Sequence, residues 1–258
     1  MASVTVGDLE LHYDEHGRPD GPPLVLLHGA GGTADDADAG WAGLVPAFAP
    51  HFRVLAVEHR GHGRTGNPAG FLSFTQMEDD LAGFLEAVGA VPAHVAGISD
   101  GGVVALGTAL RRPHLTASIT LVGTNHRVDA TTAAVTASLD PDAVEREAPE
   151  AVARFAARHD PFRHPGYWKD LIRQVQANNT DQPSWTEDDL ARVACPTLLV
   201  AGEDDPFANA EQMATMKRSI PGAEWLIVNH SGHGVHAEHP EIVGPRVLDF
   251  LLRHAAAG

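Results

Sequence analysis

The sequence contains little cysteine and few basic residues, and these shortages exclude several classes of protein. Cys195 is the only cysteine among 258 residues, so no disulfide can form within the chain. A disulfide-rich secreted domain is therefore excluded, and a reducing cytoplasm is the expected location. Lys and Arg number 18 against 34 Asp and Glu, which gives a formal net charge of -16. Because that charge repels phosphate backbones and anionic lipids, we expect neither a nucleic-acid nor a membrane partner.

Long apolar runs and a basic N-terminal region are missing as well. The chain begins Met-Ala-Ser-Val-Thr-Val-Gly-Asp, and we expect no signal peptide and no membrane span. Hydrophobic residues make up 43% of the sequence and charged residues 20%, which is ordinary for a globular protein with a sizeable core. The length and composition together predict one main domain.

Short apolar runs alternate with amphipathic stretches, which predicts an α/β fold with a mainly parallel, doubly wound sheet. An opening hairpin is predicted over Val4 to Glu15, where apolar and polar residues alternate around a Gly-Asp turn. The predicted buried strands are Leu24 to Leu27, Val54 to Val57, His94 to Ile98, Ser118 to Val122, Thr197 to Ala201 and Trp225 to Val228. The predicted core helices are Gln76 to Val88, Gly101 to Arg111, Asn209 to Ser219 and Glu241 to His254.

The regular alternation stops between residues 124 and 193, which we call the inserted segment. Its pattern predicts consecutive helices, at Asp142 to Arg158 and at Tyr167 to Asn178. We interpret it as a helical cap inserted into a core formed by residues 1–123 and 194–258. Since a cap covers the mouth of a pocket, its aromatic residues are candidates for the pocket wall, with core packing as the alternative. These residues are Phe162, Tyr167, Trp168 and Trp185.

The sharpest chemical signal is the segment Gly97-Ile98-Ser99-Asp100-Gly101-Gly102, which lies between a predicted strand and a predicted helix. A serine on such a tight turn presents its Oγ above the sheet edge, and the residues two positions away must be small to avoid a clash. Gly97 and Gly101 meet that need around Ser99. If Asp100 were the nucleophile, isoleucine would stand where a small residue is required. Ser99 is therefore the predicted nucleophile.

A serine hydroxyl is a poor nucleophile near neutral pH, so it needs a histidine base and a carboxylate that fixes the histidine tautomer. After a nucleophile on a strand-to-helix turn, the acid and then the histidine follow in chain order. A predicted strand runs into the acidic turn at 202–206, where Asp205 is the predicted acid. Glu203 and Asp204 stay alternatives, and Asp129 is a more distant one. A solvated acidic turn is the non-catalytic interpretation.

Four histidines compete for the role of base, at every third position after the last predicted strand: His230, His233, His236 and His239. His233 is the predicted base, since a glycine on either side leaves its backbone free to bend towards Ser99. A metal site is not predicted, because the four histidines lack the i, i+4 helical pairing and the cysteine or carboxylate ligands usual for zinc. The other three are interpreted as surface or packing residues.

The developing oxyanion needs hydrogen-bond donors, usually backbone N–H groups in a glycine-rich loop and at a helix N-terminus. The segment His28-Gly29-Ala30-Gly31-Gly32 directly follows a predicted buried strand, so we predict that it is the oxyanion loop. The predicted donors are the N–H of Ala30, with that of Gly31 as the alternative, and the N–H of Asp100. The predicted substrate contacts are Gly31, Asp100, Phe162 and Trp168.

Taken together, these segments resemble the α/β-hydrolase superfamily over nearly the whole chain outside the inserted segment. The turn at 58–66 is also similar to one in that superfamily, although Glu58 stands where Asp is more usual. The motifs that carry the resemblance are His28-Gly29, Ser99 in its turn, Gly202-x-x-Asp205, and Gly232-His233 with Glu238-x-Pro240.

The resemblance implies acyl transfer to water without a cofactor: Ser99 attacks a carbonyl, His233 relays the proton, and the acyl-enzyme is hydrolysed. The expected substrate is a small molecule, a carboxylic ester or a lactone, and a homo-oligomer is compatible with the sequence. A carbon–carbon bond hydrolase and a non-catalytic ligand receptor are the alternatives. The loop at 28–32 matches poorly the longer G-G-G-P loop of many carbon–carbon hydrolases, and the intact triad argues against the receptor.

The turn Ser99-Asp100-Gly101-Gly102 is similar to that of the valacyclovir hydrolase branch of the superfamily, which cleaves α-amino-acid esters. This resemblance implies that Asp100 faces the substrate amine. A carboxylate at a helix N-terminus is well stabilised, so an acid that merely faces solvent is the structural alternative.

Overall fold

The structure is a computed structural model that describes residues 2–255, so residues 1 and 256–258 of the predicted core lie outside the described residues. Its strands are β1 (Ala2–Val6), β2 (Leu9–Gly17), β3 (Pro23–Leu27), β4 (Arg53–Val57), β5 (Ala93–Ile98), β6 (Thr116–Val122), β7 (Thr197–Gly202) and β8 (Glu224–Val228). Its helices are α1 (Val45–Phe48), α2 (Phe74–Ala87), α3 (Asp100–Arg111), α4 (Ala130–Ser138), α5 (Pro141–Glu147), α6 (Pro149–His159), α7 (Tyr167–Asn178), α8 (Glu187–Leu190), α9 (Ala210–Ser219), α10 (Val235–Glu238) and α11 (Pro240–Ala255). Short 3₁₀ turns lie at Pro113–Leu115 and Asp160–Phe162.

The strands form one sheet in the order β1-β2-β4-β3-β5-β6-β7-β8. The hairpin β1–β2 joins β4 antiparallel, and every pair from β4 to β8 is parallel. The predicted α/β-hydrolase fold with a mainly parallel sheet is confirmed. Since β3 pairs with β4 on one side and with β5 on the other, the strand order reverses there, and ligands of such sheets bind beside that point.

Side chains alternate between the two faces of the sheet because successive residues of a strand point to opposite sides. In β3, Val25 and Leu27 belong to one apolar layer, with residues of α2, α3 and α9. Leu24 and Leu26 belong to the other layer, with residues of α1 and α11. Both faces of the strand are therefore covered by helices, which explains its continuous apolar sequence.

The inserted segment contains α4 to α8 between β6 and β7. The prediction of one helix over Asp142 to Arg158 is wrong, because α5 ends at Glu147 and α6 begins at Pro149. Ala148 between them has φ -136° and ψ 62°. A proline disfavours the helical conformation of the residue before it and is itself well placed at the first position of a new helix. The predicted helix Tyr167 to Asn178 is confirmed as α7.

Candidate active site

Ser99 lies at the turn between β5 and α3, beside the reversal point of the sheet. Its backbone has φ 51° and ψ -118°, and its N–H donates to the carbonyl of Val122 at 2.8 Å. A Cβ on Gly97 would lie 2.2 Å from the carbonyl oxygen of Gly101, and one on Gly101 would lie 2.6 Å from that of Leu27. The glycines on either side of Ser99 are thus required by close backbone approach, and the strained serine conformation is of the kind found at functional turns.

Asp205 follows β7 and contacts His233, which follows β8. Nδ1 of His233 lies 3.0 Å from each carboxylate oxygen of Asp205. The Asp205 side chain is fully buried, and its Oδ1 also accepts from the backbone N–H groups of Phe207 and Ala208 at 2.8 and 3.1 Å. Because an ionised carboxylate only accepts hydrogen bonds, Nδ1 carries the proton and Nε2 keeps its lone pair as a potential base.

The alternative acids have other surroundings than Asp205. Glu203 and Asp204 precede it on the same turn, but both side chains are exposed to solvent. Asp129 caps α4, where its Oδ1 accepts from the N–H groups of Thr131 and Thr132 at 2.9 Å each. Among the four candidates, Asp205 is therefore the one that contacts a candidate base.

The other three histidines also differ from His233 in their surroundings. His230 is exposed, and His239 pairs with Glu241 at 3.3 Å. His236 is buried against Trp41, at 6.1 Å between ring centroids. Over residues 2–255, no group of three or more His, Cys, Asp or Glu side chains is arranged to hold a metal ion.

The predicted oxyanion loop lies directly against Ser99. A Cβ on Gly29 would be 3.4 Å from the Ser99 Cβ, and Asp100 is the first residue of α3, so its N–H belongs to the free helix terminus. His28 donates from Nδ1 to the Gly29 carbonyl at 2.7 Å and accepts at Nε2 from the His59 N–H at 3.1 Å. Burial lowers the pKa of His28 well below its usual range. The neutral ring therefore supports the loop from beneath.

A cavity of about 220 Å³ opens above Ser99, with His233 and Ala30 in its wall. Its apolar lining is Phe74, Ile98, Val103, Val128, Leu139, Val175, Pro183 and Phe207, and its polar lining includes Asp38, Asp100, Asn125, Thr132, Thr136, Asn179, Gln182 and His236. Among the described lining residues there is no lysine and no arginine. The site is thus a mostly apolar pocket with a few polar groups, as is usual for small-molecule sites.

Asp100 places a carboxyl group in this wall, beside the nucleophile. The residue is 6% exposed, and its Oδ1 accepts from the Nδ2 of Asn179 at 2.9 Å. Burial raises the pKa of Asp100 to about 6, although the Asn179 hydrogen bond and the nearby His233 act in the opposite direction. Asp100 is therefore ionised at neutral pH and changes charge in mildly acidic solution.

The aromatic residues predicted for the pocket wall lie outside it. Phe162 is 48% exposed in the 3₁₀ turn before α7. Trp168 is buried on a side of α7 that does not line the cavity. Tyr167 donates to the Gly61 carbonyl at 2.9 Å. Trp185 packs against the apolar layer that contains Val25 and Leu27 of β3. The prediction that Phe162 and Trp168 line the cavity does not match these positions: Phe162 lies before α7, and α7 turns Val175 rather than Trp168 towards the cavity.

Gly31 also lies away from the cavity lining and faces α6 instead. Its carbonyl accepts a hydrogen bond from His159, and a Cβ there would lie 2.1 Å from a ring carbon of Phe155. Gly31 was predicted as a substrate contact on its place in the oxyanion loop. The contact with α6 explains the difference, since that helix covers this part of the loop.

Two residues support the site although no role for either is predicted from the sequence. Asn179 holds Asp100, but an asparagine after a helix is ordinary and gave no signal. Glu238 accepts from the Ser231 hydroxyl at 2.6 Å and from the Gly232 N–H at 2.9 Å, and so fixes the loop before His233. The position of Glu238 in a family motif was the available signal for the second residue.

Residues 24–244 match the model of an alpha/beta hydrolase family. The chain belongs to that family. It is 28% identical to a protein from Azorhizobium caulinodans named "Putative carbamate hydrolase RutD", over 95% of this chain and 96% of that protein. It is 27% identical to 2-hydroxy-6-oxo-6-(2'-aminophenyl)hexa-2,4-dienoic acid hydrolase from Metapseudomonas resinovorans, over 98% of this chain and 91% of that protein.

A solved structure also matches nearly the whole chain. Est816, described as an N-acyl homoserine lactone degrading enzyme, is 25% identical, with a TM-score of 0.76 over 96% of this chain and all of that one. The names of these proteins and the family match support a hydrolase as the enzyme class of this chain. No helix within residues 2–255 is long and apolar enough to cross a membrane.

Proposed function

We propose that this hydrolase cleaves small carboxylic esters or lactones through Ser99, His233 and Asp205. The observation that carries the proposal is the contact of His233 with Asp205, at 3.0 Å, because His233 lines the cavity that also contains Ser99. The fully buried Asp205 carboxylate fixes the tautomer in which Nε2 of His233 is the base. A serine nucleophile requires such a base, oriented by a carboxylate.

In the proposed reaction, Nε2 of His233 takes the Ser99 proton while Oγ forms a bond to the substrate carbonyl carbon. The charge that develops on the carbonyl oxygen is stabilised by the N–H groups of Ala30 and Asp100. The tetrahedral intermediate then collapses, and the alcohol leaves with the proton from His233. A water molecule, deprotonated by the same histidine, releases the acid and restores Ser99.

The names of the similar proteins fit this chemistry. A carbamate and a lactone both carry a carbonyl group bonded to an oxygen or nitrogen leaving atom, which is the bond type that the proposed acyl transfer breaks. A cavity of about 220 Å³ suits a small substrate of that class. These points support an acyl carbonyl as the reacting group.

Carbon–carbon cleavage is the alternative, since one relative is named as the hydrolase of a dienoic acid. A dienoic acid is an anion at neutral pH, whereas the described cavity lining contains two aspartates and neither lysine nor arginine. An unpaired carboxylate in such a wall carries a high desolvation cost. The charge of the cavity therefore favours neutral or cationic esters over the dienoate.

The test is a release assay on short-chain esters, lactones, aminoacyl esters and a dienoate, with the native chain and Ser99→Ala. We expect ester or lactone cleavage by the native chain and a loss of about 10⁴-fold or more in kcat for Ser99→Ala. Dienoate turnover alone would establish the carbon–carbon alternative. Ester turnover that survives Ser99→Ala would refute the proposed nucleophile, and a native chain inert on the whole panel would favour the receptor.

A further inference from the structure

One side of α6, in the inserted segment, covers the oxyanion loop. Phe155, Arg158 and His159 stand at positions i, i+3 and i+4, which share a helix face. Gly31 has φ +69°, and a Cβ on it would meet the Phe155 ring at 2.1 Å. Arg158 donates from Nη2 to the Oδ1 of Asp36, at 2.7 Å, in the chain just after that loop. Besides His159, the helix thus contacts the loop at Gly31 and the following chain at Asp36.

His159 connects three parts of the chain with its two ring nitrogens. Nδ1 accepts from the backbone N–H of Gly63, at 2.9 Å, in the turn after β4. Nδ1 therefore carries no proton, so the proton is on Nε2, which donates to the carbonyl of Gly31 at 3.0 Å. The ring is fully buried, and both of its polar atoms are used.

Only the neutral ring with its proton on Nε2 can make both hydrogen bonds. A proton on Nδ1 would face the Gly63 N–H, so two donors would oppose each other. Burial lowers the pKa of His159 to about 4, against a smaller opposite effect of the Gly31 hydrogen bond. The ring is accordingly neutral at the pH at which the hydrolase is assayed.

We infer that His159 is a positioning residue of the oxyanion hole, which holds Gly31 against Gly63 and so fixes the loop that carries the predicted donors. The held carbonyl belongs to Gly31, whose own N–H is one candidate donor, and the other, that of Ala30, is its direct neighbour. This inference rests on the proposed acyl transfer. It assigns to the inserted segment a part in transition-state stabilisation, in addition to its contribution to the cavity wall.

The inference makes a kinetic prediction that a purely structural role does not. Oxyanion donors act on charge that develops in the transition state, so a displaced loop lowers kcat and leaves KM nearly unchanged. Deleting one donor in such a site costs about 10²- to 10³-fold in kcat, and we expect a misplaced donor to cost roughly 10- to 100-fold.

The experiment compares three variants of His159 in the full chain on the best ester of the panel. His159→Leu removes both hydrogen bonds. His159→Gln places an amide N–H near the Nε2 position and keeps the donor to Gly31, whereas His159→Asn reaches only the Nδ1 position. We expect kcat to fall 10- to 100-fold in His159→Leu and His159→Asn and to stay within about threefold in His159→Gln, with KM within twofold throughout.

His94→Leu is the matched control, because His94 is also a buried histidine with a pKa lowered to about 4 by burial. It pairs with the Ser118 hydroxyl at 2.7 Å near the start of β5, whereas Ser99 follows the end of that strand. His94→Leu should lower the unfolding temperature and leave kcat within twofold. It therefore separates loss of stability from loss of positioning.

Two results would overturn the inference. One is a folded His159→Leu with the kcat of the native chain, and the other is a His159→Gln as impaired in kcat as His159→Asn. If His159→Leu does not fold, the comparison of Gln with Asn still decides. Failure of the proposed function is distinct, since it is read from Ser99→Ala on the native background, before any His159 variant is measured.

Discussion

The sheet core and the inserted segment contribute to the same cavity in different ways. In the core, Ser99, Asp205 and His233 each follow a parallel strand, at the sheet edge where those strands end. In the inserted segment, the cavity is met by residues of α4, by the last turns of α7 and by the loop after it. The direction of the strands determines where the residues of the core lie. The rotation of each helix about its axis determines which residues of the inserted segment face the cavity.

This contrast separates chemistry from selectivity. A change at the sheet edge should alter kcat for every substrate, whereas a change in the inserted segment should alter which substrates are preferred. His159 is the exception that we infer, since it lies in the inserted segment yet contacts the proposed oxyanion loop at Gly31.

After the nucleophile, the largest effect is expected at Asp205, the proposed acid. Asp205→Asn should lower kcat by about 10³- to 10⁴-fold for all esters, because an amide at this position favours the wrong histidine tautomer. Glu203→Gln and Asp204→Asn are matched controls, because both residues are exposed on the same turn, and they should stay within twofold. Steady-state kinetics on two esters of different size checks this. A comparable loss of kcat in a control variant would identify that residue, rather than Asp205, as the acid.

A smaller, substrate-dependent effect is expected at Asp100, where core and inserted segment meet. Asp100→Asn should lower kcat/KM about tenfold for aminoacyl esters and leave neutral esters within twofold, because the resemblance implies a charge-assisted contact of Asp100 with the substrate amine, which an amide cannot make. Equal losses on both classes would refute the role in binding an amine.

The same preference should depend on pH, because burial raises the Asp100 pKa to about 6. The ratio of kcat/KM for cationic over neutral esters is expected to fall as the pH drops through about 6, where the carboxylate gains a proton. Asn179→Ala removes a hydrogen bond that lowers this pKa, so the fall should move to higher pH. A pH profile of the ratio with an unchanged midpoint in Asn179→Ala would contradict this coupling.

The different success of sequence reasoning in the two regions has a physical reason. Strand β7 was predicted as Thr197 to Ala201 and spans Thr197–Gly202, since a buried strand between helices leaves a continuous apolar run. The chain direction then placed Ser99 and Asp205 at one edge without knowledge of any contact. Helix α7 was predicted with its observed bounds, yet Val175 lines the cavity and Trp168 does not.

The remaining site contacts depend on tertiary packing that leaves little trace in the sequence. The break between α5 and α6 is predictable from Pro149, because a proline disfavours the helical conformation of the residue before it, here Ala148. In contrast, the hydrogen bond from Asn179 to Asp100 joins residues 79 positions apart, and that from Gly63 to His159 joins residues 96 apart. Such pairs follow from the position of the helices, which periodicity alone does not determine.

A moderate effect on selectivity is expected from the wall of the inserted segment. Leu139 lines the cavity, so Leu139→Ala should raise kcat/KM for longer acyl chains over acetyl esters by roughly 3- to 10-fold, since each buried methylene contributes about 0.8 kcal/mol. Phe162→Ala is the control, because Phe162 is half exposed outside the cavity, and its acyl-chain preference should not change. If the acyl-chain preference changed in Phe162→Ala instead, Phe162 would be a substrate contact after all.

The smallest effect concerns stability and compares one buried histidine from each region. His59 follows β4 in the core and His159 lies in α6, and burial lowers the pKa of each to about 4. In the unfolded chain their pKa is near 6.5, so between about pH 4 and 6.5 the unfolded state binds more protons than the native state. Stability contributed by these groups is therefore complete above pH 6.5 and is lost as the solution becomes more acidic.

When the pH is lowered from 7.5 to 5.5, each histidine should reduce the free energy of unfolding by about 1 kcal/mol. Urea unfolding at the two pH values measures this, with His59→Leu and His159→Leu beside the native chain. Whatever its stability at pH 7.5, each variant should lose about 1 kcal/mol less than the native chain on acidification, because a leucine takes up no proton. Since carboxylates titrate equally in all three chains, the difference isolates the histidine. If His159→Leu lost as much as the native chain, the ring would not be buried in its neutral form, and the hydrogen bond to Gly31 that fixes the oxyanion loop would need another explanation.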